Sequence, residues 1–325
     1  MKKARVGALL LTAVLLLGGC VGKGKDKGSS SASSQPGAGQ ESGAESSKIN
    51  DMFPESSEPE VSSEPVSSGG EESAPESNVA ASAVPTAIGD VTLPDLSGYD
   101  TKQVTWGPGH QMDDANRPVA CIGLQEKYGR YGGCFLMPGD EKKVYLTFDE
   151  GYENGYTSKI LDVLKEKECP AVFFVTYDYV KRNADLVQRM IDEGHVVGNH
   201  TMNHPNLTKL DADAAVKEIS DLHNYVVENF NYQMTLFRPP EGAFSQRSLV
   251  IANTLGYKTV LWSFAYNDWN PDAQMEPQKA LAKVTSCVHN GAIPLLHAVS
   301  STNTAILGDV IDSWRGQGYT MEKLQ

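Results

Sequence analysis

From about Val144 to the end of the chain, short apolar runs of strand length alternate with amphipathic stretches of helical period. Such alternation means parallel strands joined by crossover helices, either as an open sheet or as a barrel. The runs at Val144–Phe148, Ala171–Thr176, His195–Gly198, Leu236–Arg238, Thr259–Ser263 and Ile293–His297 read as strands. Ser158–Lys167, Ala184–Glu193, Asp211–Asn229, Gln246–Leu255, Pro277–Val288 and Thr304–Gly316 read as the helices between them. Six or seven such repeats are too few for a regular eight-stranded barrel, so an α/β fold with a distorted or incomplete (β/α) barrel is expected. In that architecture side chains that do chemistry belong at the C-terminal ends of the strands.

The chain ahead of this region has a different character. Lys2, Lys3 and Arg5 precede an apolar run from Val6 to Leu17, the charged and hydrophobic parts of an export signal. Leu17-Gly18-Gly19-Cys20 follows at once and resembles the lipobox of bacterial lipoproteins, in which the Cys is acylated. Two acyl chains hold a membrane far more durably than one, each buried CH₂ contributing ~0.8 kcal/mol. The expectation is an extracytoplasmic protein, lipid-anchored to the bacterial cell membrane through Cys20. Residues 21–95 are rich in Ser, Glu, Gly and Pro, with 4 Lys against 13 Asp and Glu, and are expected to form a disordered, self-repelling linker. Residues 96–142 are expected to be an extension packing on the β/α domain, which spans 143–325.

Composition removes several functions. The formal charge is -13, the wrong sign for a protein that grips phosphate backbones, so no nucleic acid partner is expected. There is no Gly-x-Ser-x-Gly elbow and no phosphate loop, so neither serine-hydrolase nor nucleotide chemistry has a motif to rest on. Four cysteines besides Cys20 are available for disulfides, and Cys121 with Cys134 would close a small loop in the extension.

Unusual polar residues collect where the strands end. The first delivers Asp149 and Glu150, adjacent carboxylates that repel unless a cation compensates. The third leads into His200-Thr201-Met202-Asn203-His204, whose spacing brings two imidazoles to one side of a helical turn. No Glu follows His200, so this is not the zinc-protease helix, and Pro205 discourages continuation. Arg238, Asp268-Trp269 and His297 close the set. Any one of these has an ordinary structural explanation, but all of them on different strand ends of one array form a composite that chance rarely supplies.

Thr147-Phe148-Asp149-Glu150-Gly151, His200 to His204, Arg238-Pro239-Pro240-Glu241-Gly242, Asp268-Trp269 and Leu295-Leu296-His297 together resemble the motifs of the polysaccharide deacetylase family, in their order and spacing. This family (carbohydrate esterase family 4, the NodB homology domain) removes acetyl groups with the help of a divalent metal. Phe148 to Thr157, Leu261 to Trp269 and Gly291 to Ser300 look like its delta-lactam-biosynthetic, or muramic acid, de-N-acetylase branch. The resemblance implies Asp149 as general base, Arg238 as the guanidinium orienting it, His297 as general acid and Asp268 as the carboxylate holding its imidazolium. It implies His200 and His204 as metal ligands with Glu150 at the third ligand position, and Trp269, Tyr152 and Glu241 around the substrate, Trp269 being either a sugar platform or core. The metal would be Zn²⁺, with Co²⁺, Mn²⁺ or another divalent ion equally suited to such ligands.

Two residues depart from the family pattern. Glu150 stands where the family has Asp and the muramic branch often Asn, one methylene longer than a usual ligand. Glu241 stands where the branch often carries Arg, and is either a repellent to a lactyl carboxylate or a loop residue facing water. The resemblance implies hydrolysis of the N-acetyl group of a peptidoglycan glycan strand, with N-acetylmuramic acid as substrate and the muramic delta-lactam as the end product. The alternatives are an N-acetylglucosamine or other glycan deacetylase, and a catalytically silent wall-binding lipoprotein.

Overall fold

A computed structural model of the protein describes residues 85–325. The signal segment, Cys20 and the linker up to residue 84 lie outside the described residues. The described chain forms eleven short strands in chain order: β1 (Val104–Thr105), β2 (Gly133–Cys134), β3 (Lys143–Val144), β4 (Thr147–Glu150), β5 (Val172–Val175), β6 (Val196–Asn199), β7 (Leu236–Phe237), β8 (Ala243–Phe244), β9 (Lys258–Val260), β10 (Leu295–His297) and β11 (Thr320–Met321). Eight helices accompany them: α1 (Val119–Tyr128), α2 (Thr157–Glu166), α3 (Tyr177–Arg182), α4 (Ala184–Asp192), α5 (Ala212–Phe230), α6 (Gln246–Thr254), α7 (Pro277–Ser286) and α8 (Ser301–Gly316).

Seven strands build one parallel sheet in the order β10-β4-β5-β6-β7-β9-β2. Such strands are covered on both faces, which is why β5 reads Val-Phe-Phe-Val with every residue buried. The sheet curls into an incomplete barrel, as expected. Irregular backbone pairs the segment after β9 with the approach to β10, Ser263 N donating to Ile293 O at 2.9 Å and Leu295 N to Phe264 O at 2.8 Å. The helices bury the stripes their periodicity marks, Ile160, Leu161 and Leu164 on α2 for example. The side chain of Asp211 caps the N-terminus of α5 by accepting from Ala214 N, and Asn231 ends it in the left-handed conformation.

Several sequence expectations need correction. The extension supplies β2, the seventh strand, and does not merely pack outside; two residues, Gly133 and Cys134, are too few to show a periodicity. Ordered contact begins before residue 96. Ile88 exchanges hydrogen bonds with the Asn224 amide (2.7 and 2.9 Å), and Ile88, Val91 and Leu93 pack on the core in a run without regular secondary structure. The first strand is shifted, Val144 belonging to β3 and the sheet strand running Thr147–Glu150, so Asp149 and Glu150 sit within the strand rather than beyond it. The helix α3 went unread because it is only six residues long. All four cysteines of the described residues are free: Cys121 Sγ faces the Trp262 carbonyl and Cys134 Sγ faces Leu136 O and Met137 Sδ, β2 having drawn Cys134 into the sheet.

Candidate active site

The register of the sheet assembles the site. β10 pairs with β4 so that His297 lies beside Asp149, and β6 ends one strand away from the segment carrying Arg238. Arg238 is completely buried. Its Nη1 donates to Asp149 Oδ1 at 2.8 Å, while Nε and Nη2 donate to the carbonyls of Val260 and Leu261 at 3.1 Å each. The guanidinium lies 4.2 Å from the Phe174 ring and 5.7 Å from Trp262. Glycine makes room for both rings. A Cβ on Gly198 would lie 2.5 Å from the Phe174 ring, and one on Gly242, at φ +63°, 2.7 Å from Trp262. Burial pushes the Asp149 carboxyl up, but Arg238, His200 and His297 together hold it below the ordinary carboxylate value.

His200 Nδ1 donates to the Arg238 carbonyl at 2.7 Å, which leaves Nε2 as the lone-pair nitrogen, 3.7 Å from Asp149 Oδ2 and not hydrogen-bonded to it. Burial pushes this imidazole down to about 4, so it is neutral near pH 7. His204 joins it with ring centroids 4.8 Å apart and planes at 77°. The two imidazoles meet as the spacing suggests but not on a helical turn: Thr201 and His204 take φ +73° and +57°, a strained loop. Thr201 within the motif and two residues outside it, Asn199 and Glu218, hold the strain. Asn199 Oδ1 accepts from Thr201 N at 2.9 Å, Thr201 Oγ1 from His204 N at 2.9 Å, and the Glu218 carboxylate accepts from Asn203 N and Nδ2 at 2.8 Å each. Asn199 could have been suspected from its place before His200; Glu218 arrives from α5 and leaves no local signal.

His297 Nδ1 lies 2.7 Å from Asp268 Oδ1, and its backbone N donates to Asp268 Oδ2 at 2.8 Å. Burial lowers the His297 imidazole, but Asp268 and then Asp149 outweigh it, and the net shift is upward. The site thus sets a carboxyl shifted down beside an imidazole shifted up on adjacent strands. Trp269 and Tyr152 are 47% and 49% exposed, so neither is core. Glu241 is exposed on a left-handed turn, φ +60°.

Glu150 is turned away from Asp149 and its partners. Side chains alternate along a strand, and where Asp149 meets Arg238 and His200, Glu150 meets the α2 and α3 layer beside Thr157, Glu153 and Tyr179. It is fully buried with neither carboxyl oxygen hydrogen-bonded. Burial, then the charges of Glu153 and Asp149, push it well above the ordinary value. Among the described residues no group of three His, Cys, Asp or Glu side chains is placed to hold a metal ion. His200 and His204 supply two imidazole donors side by side, one protein ligand short of the three that a catalytic zinc site usually takes.

A family model for polysaccharide deacetylases matches residues 137–260. Peptidoglycan-N-acetylmuramic acid deacetylase PdaA of Bacillus subtilis is 41% identical over 226 residues, 68% of this chain and 84% of that protein. The chain belongs to the polysaccharide deacetylase family. A solved structure of Bacillus subtilis PdaA, described as a family 4 carbohydrate esterase, superposes with a TM-score of 0.66 at 39% identity, covering 69% of this chain and 96% of that one. A peptidoglycan-N-acetylglucosamine deacetylase of Bacillus cereus is 33% identical over 189 residues, 56% of this chain and 86% of the relative. As a member of the family this deacetylase is a hydrolase of carbon–nitrogen bonds outside peptides, and the family is typically metal-dependent.

Proposed function

We propose that this protein removes the N-acetyl group of peptidoglycan aminosugars, with N-acetylmuramic acid in the glycan strand as its substrate and the muramic delta-lactam as the eventual product. The observation that carries the chemistry is the opposed pair on β4 and β10: Asp149 ion-paired with Arg238, His297 with Asp268. Asp149 takes a proton from the attacking water, and Arg238 keeps it anionic and aimed. His297 gives a proton to the departing amine, Asp268 holding the imidazolium and its ring plane. A divalent ion on His200 and His204, Zn²⁺ by preference, Co²⁺ or Mn²⁺ otherwise, would polarise the acetyl carbonyl. Trp269 and Tyr152, both exposed aromatics, suit the faces of a sugar ring.

The muramic assignment rests on likeness to PdaA over most of the domain. The second reading, N-acetylglucosamine or another acetylated glycan, is favoured by one residue, Glu241, whose carboxylate would repel the lactyl group of muramic acid. The third, a silent wall-binding lipoprotein, gives no use to the Asp149–Arg238 and His297–Asp268 pairs on adjacent strands. For the leader we propose acylation at Cys20 and anchorage on the outer face of the cell membrane, the linker giving the catalytic domain its reach to the wall.

The deciding experiment incubates the purified protein with peptide-free peptidoglycan glycan, with and without added Zn²⁺, and reads acetyl loss by mass spectrometry. Loss confined to muramic acid is expected. Loss from glucosamine would transfer the protein to the second reading, and no loss with any divalent ion to the third.

A further inference from the structure

The Asp268–His297 pair is joined by a third side chain that no sequence motif marks. Asn303 sits in the first turn of α8, whose N-cap Ser300 accepts the Asn303 backbone N–H at 2.9 Å. Its side chain turns back beneath the end of β10, where Nδ2 donates to Asp268 Oδ2 at 2.6 Å and to the His297 carbonyl at 3.1 Å. One amide nitrogen therefore spans both members of the pair. A carboxylate can only accept, so the NH₂ end must face Asp268, and the other end, Oδ1, accepts from the Tyr266 hydroxyl. Turned end for end, the amide would set its oxygen against the Asp268 carboxylate. Asn303, Asp268 and Tyr266 are all buried, so water does not readily replace any of these bonds.

We propose that Asn303, oriented by Tyr266, is a positioning residue for the general acid: it locks the Asp268 carboxylate against His297 Nδ1, so that the transferable proton of His297 stands at Nε2. This rests on the reading of His297 as the acid. The charged groups facing His297 are Asp268 from the loop after Phe264, Asp149 from β4 and Arg238 from the segment after β7. Asn303 touches only the first of these and carries no charge itself, so its removal acts through the alignment of Asp268. A looser Asp268 supports the imidazolium less, and the proton is lost at lower pH.

The test compares full-length wild type with Asn303→Ala and Tyr266→Phe, reading kcat, KM, the pH profile of kcat/KM and the titration of the His297 imidazole by nuclear magnetic resonance, with thermal melts to establish folding. In Asn303→Ala a fall in kcat of about 10–100-fold is expected with KM within about twofold, the alkaline limb and the His297 midpoint both moving to lower pH. Tyr266→Phe should move the same quantities in the same direction by less, about 3–10-fold in kcat, and it decides the matter if Asn303→Ala does not fold. Folded variants with unchanged kcat and an unchanged His297 midpoint would overturn the proposal. If the wild type releases no acetate, the functional reading fails, while the His297 midpoints still decide whether Asn303 positions the pair.

Discussion

Asp149 and Glu150 are chain neighbours on one strand, yet their surroundings could hardly differ more. Asp149 meets a guanidinium that is itself pinned by two carbonyls and flanked by two aromatic rings, and its carboxyl is held below the usual range. Glu150, one residue on and facing the helices, meets a second acid, a hydroxyl and a phenol, no cation, and its carboxyl is pushed far the other way. The pleat alone separates them: alternation sends one side chain into a charged site and the other into a layer built for packing. Two carboxylates in a motif are thus not two equivalent ligands, and which of them serves the chemistry is a matter of which face it leaves by.

The sharpest way to break this contrast is at Asp149. Asp149→Asn should lower kcat by about 10²–10⁴-fold with the fold intact, read as acetate release against a thermal melt. In the wild type the acid limb of kcat/KM should lie below the ordinary carboxylate value of about 3.9, and the alkaline limb above the ordinary imidazole value of about 6.5, since Asp149 is lowered and His297 raised. Asp268→Asn should bring the alkaline limb down.

Next in size is Arg238→Met, which leaves Asp149 buried without its partner and should cost about 3–5 kcal/mol by urea unfolding at pH 7. Because the folded Asp149 pKa is depressed, the stability it contributes is present above the unfolded value and lost as pH falls through the folded one. The gap between wild type and variant should therefore close in acid. If the gap persists at low pH, the ion pair is not its source.

The smallest effect belongs to the other face. Glu150→Gln should leave activity and Zn²⁺ affinity, measured by calorimetry, within about threefold, since loss of a true metal ligand would exceed the 10–100-fold typical of outer-shell changes. It should also raise the melting temperature at neutral pH. The sign follows from a raised folded pKa: the wild type is best off below the unfolded carboxylate value and loses stability as pH rises through the folded one, so the two proteins should converge near pH 4. A loss of metal binding beyond tenfold would restore Glu150 to the ligand set.

Much of this architecture was legible from periodicity. β5, with four apolar residues in a row, and α2, with its stripe of Ile160, Leu161 and Leu164, are long enough to carry a pattern. β2 is not, and the 85–95 segment gains its order from the Asn224 amide some 136 residues away, which no local window sees. In the site, residue types and spacing marked Asp149, His200, Arg238 and His297 because each is chemically unusual at a strand end. The helical turn inferred for His200–His204 failed because Asn199, Thr201 and Glu218 supply the hydrogen bonds that hold two left-handed residues in a loop. Those partners are ordinary residues, and only their placement in three dimensions makes them matter.

Gly198 lies two strands from Asp149 in the same register and has no part in the reaction, but the Phe174 ring between them occupies the space its side chain would need, and that ring lies against the Arg238 guanidinium. Substitutions at these three positions should therefore not be additive. A methyl gained at 198 demands a smaller ring at 174 before it can be tolerated, and a smaller ring removes a neighbour of the cation that keeps the base ionised. The worth of Gly198 is thus set wholly by the neighbours it makes room for.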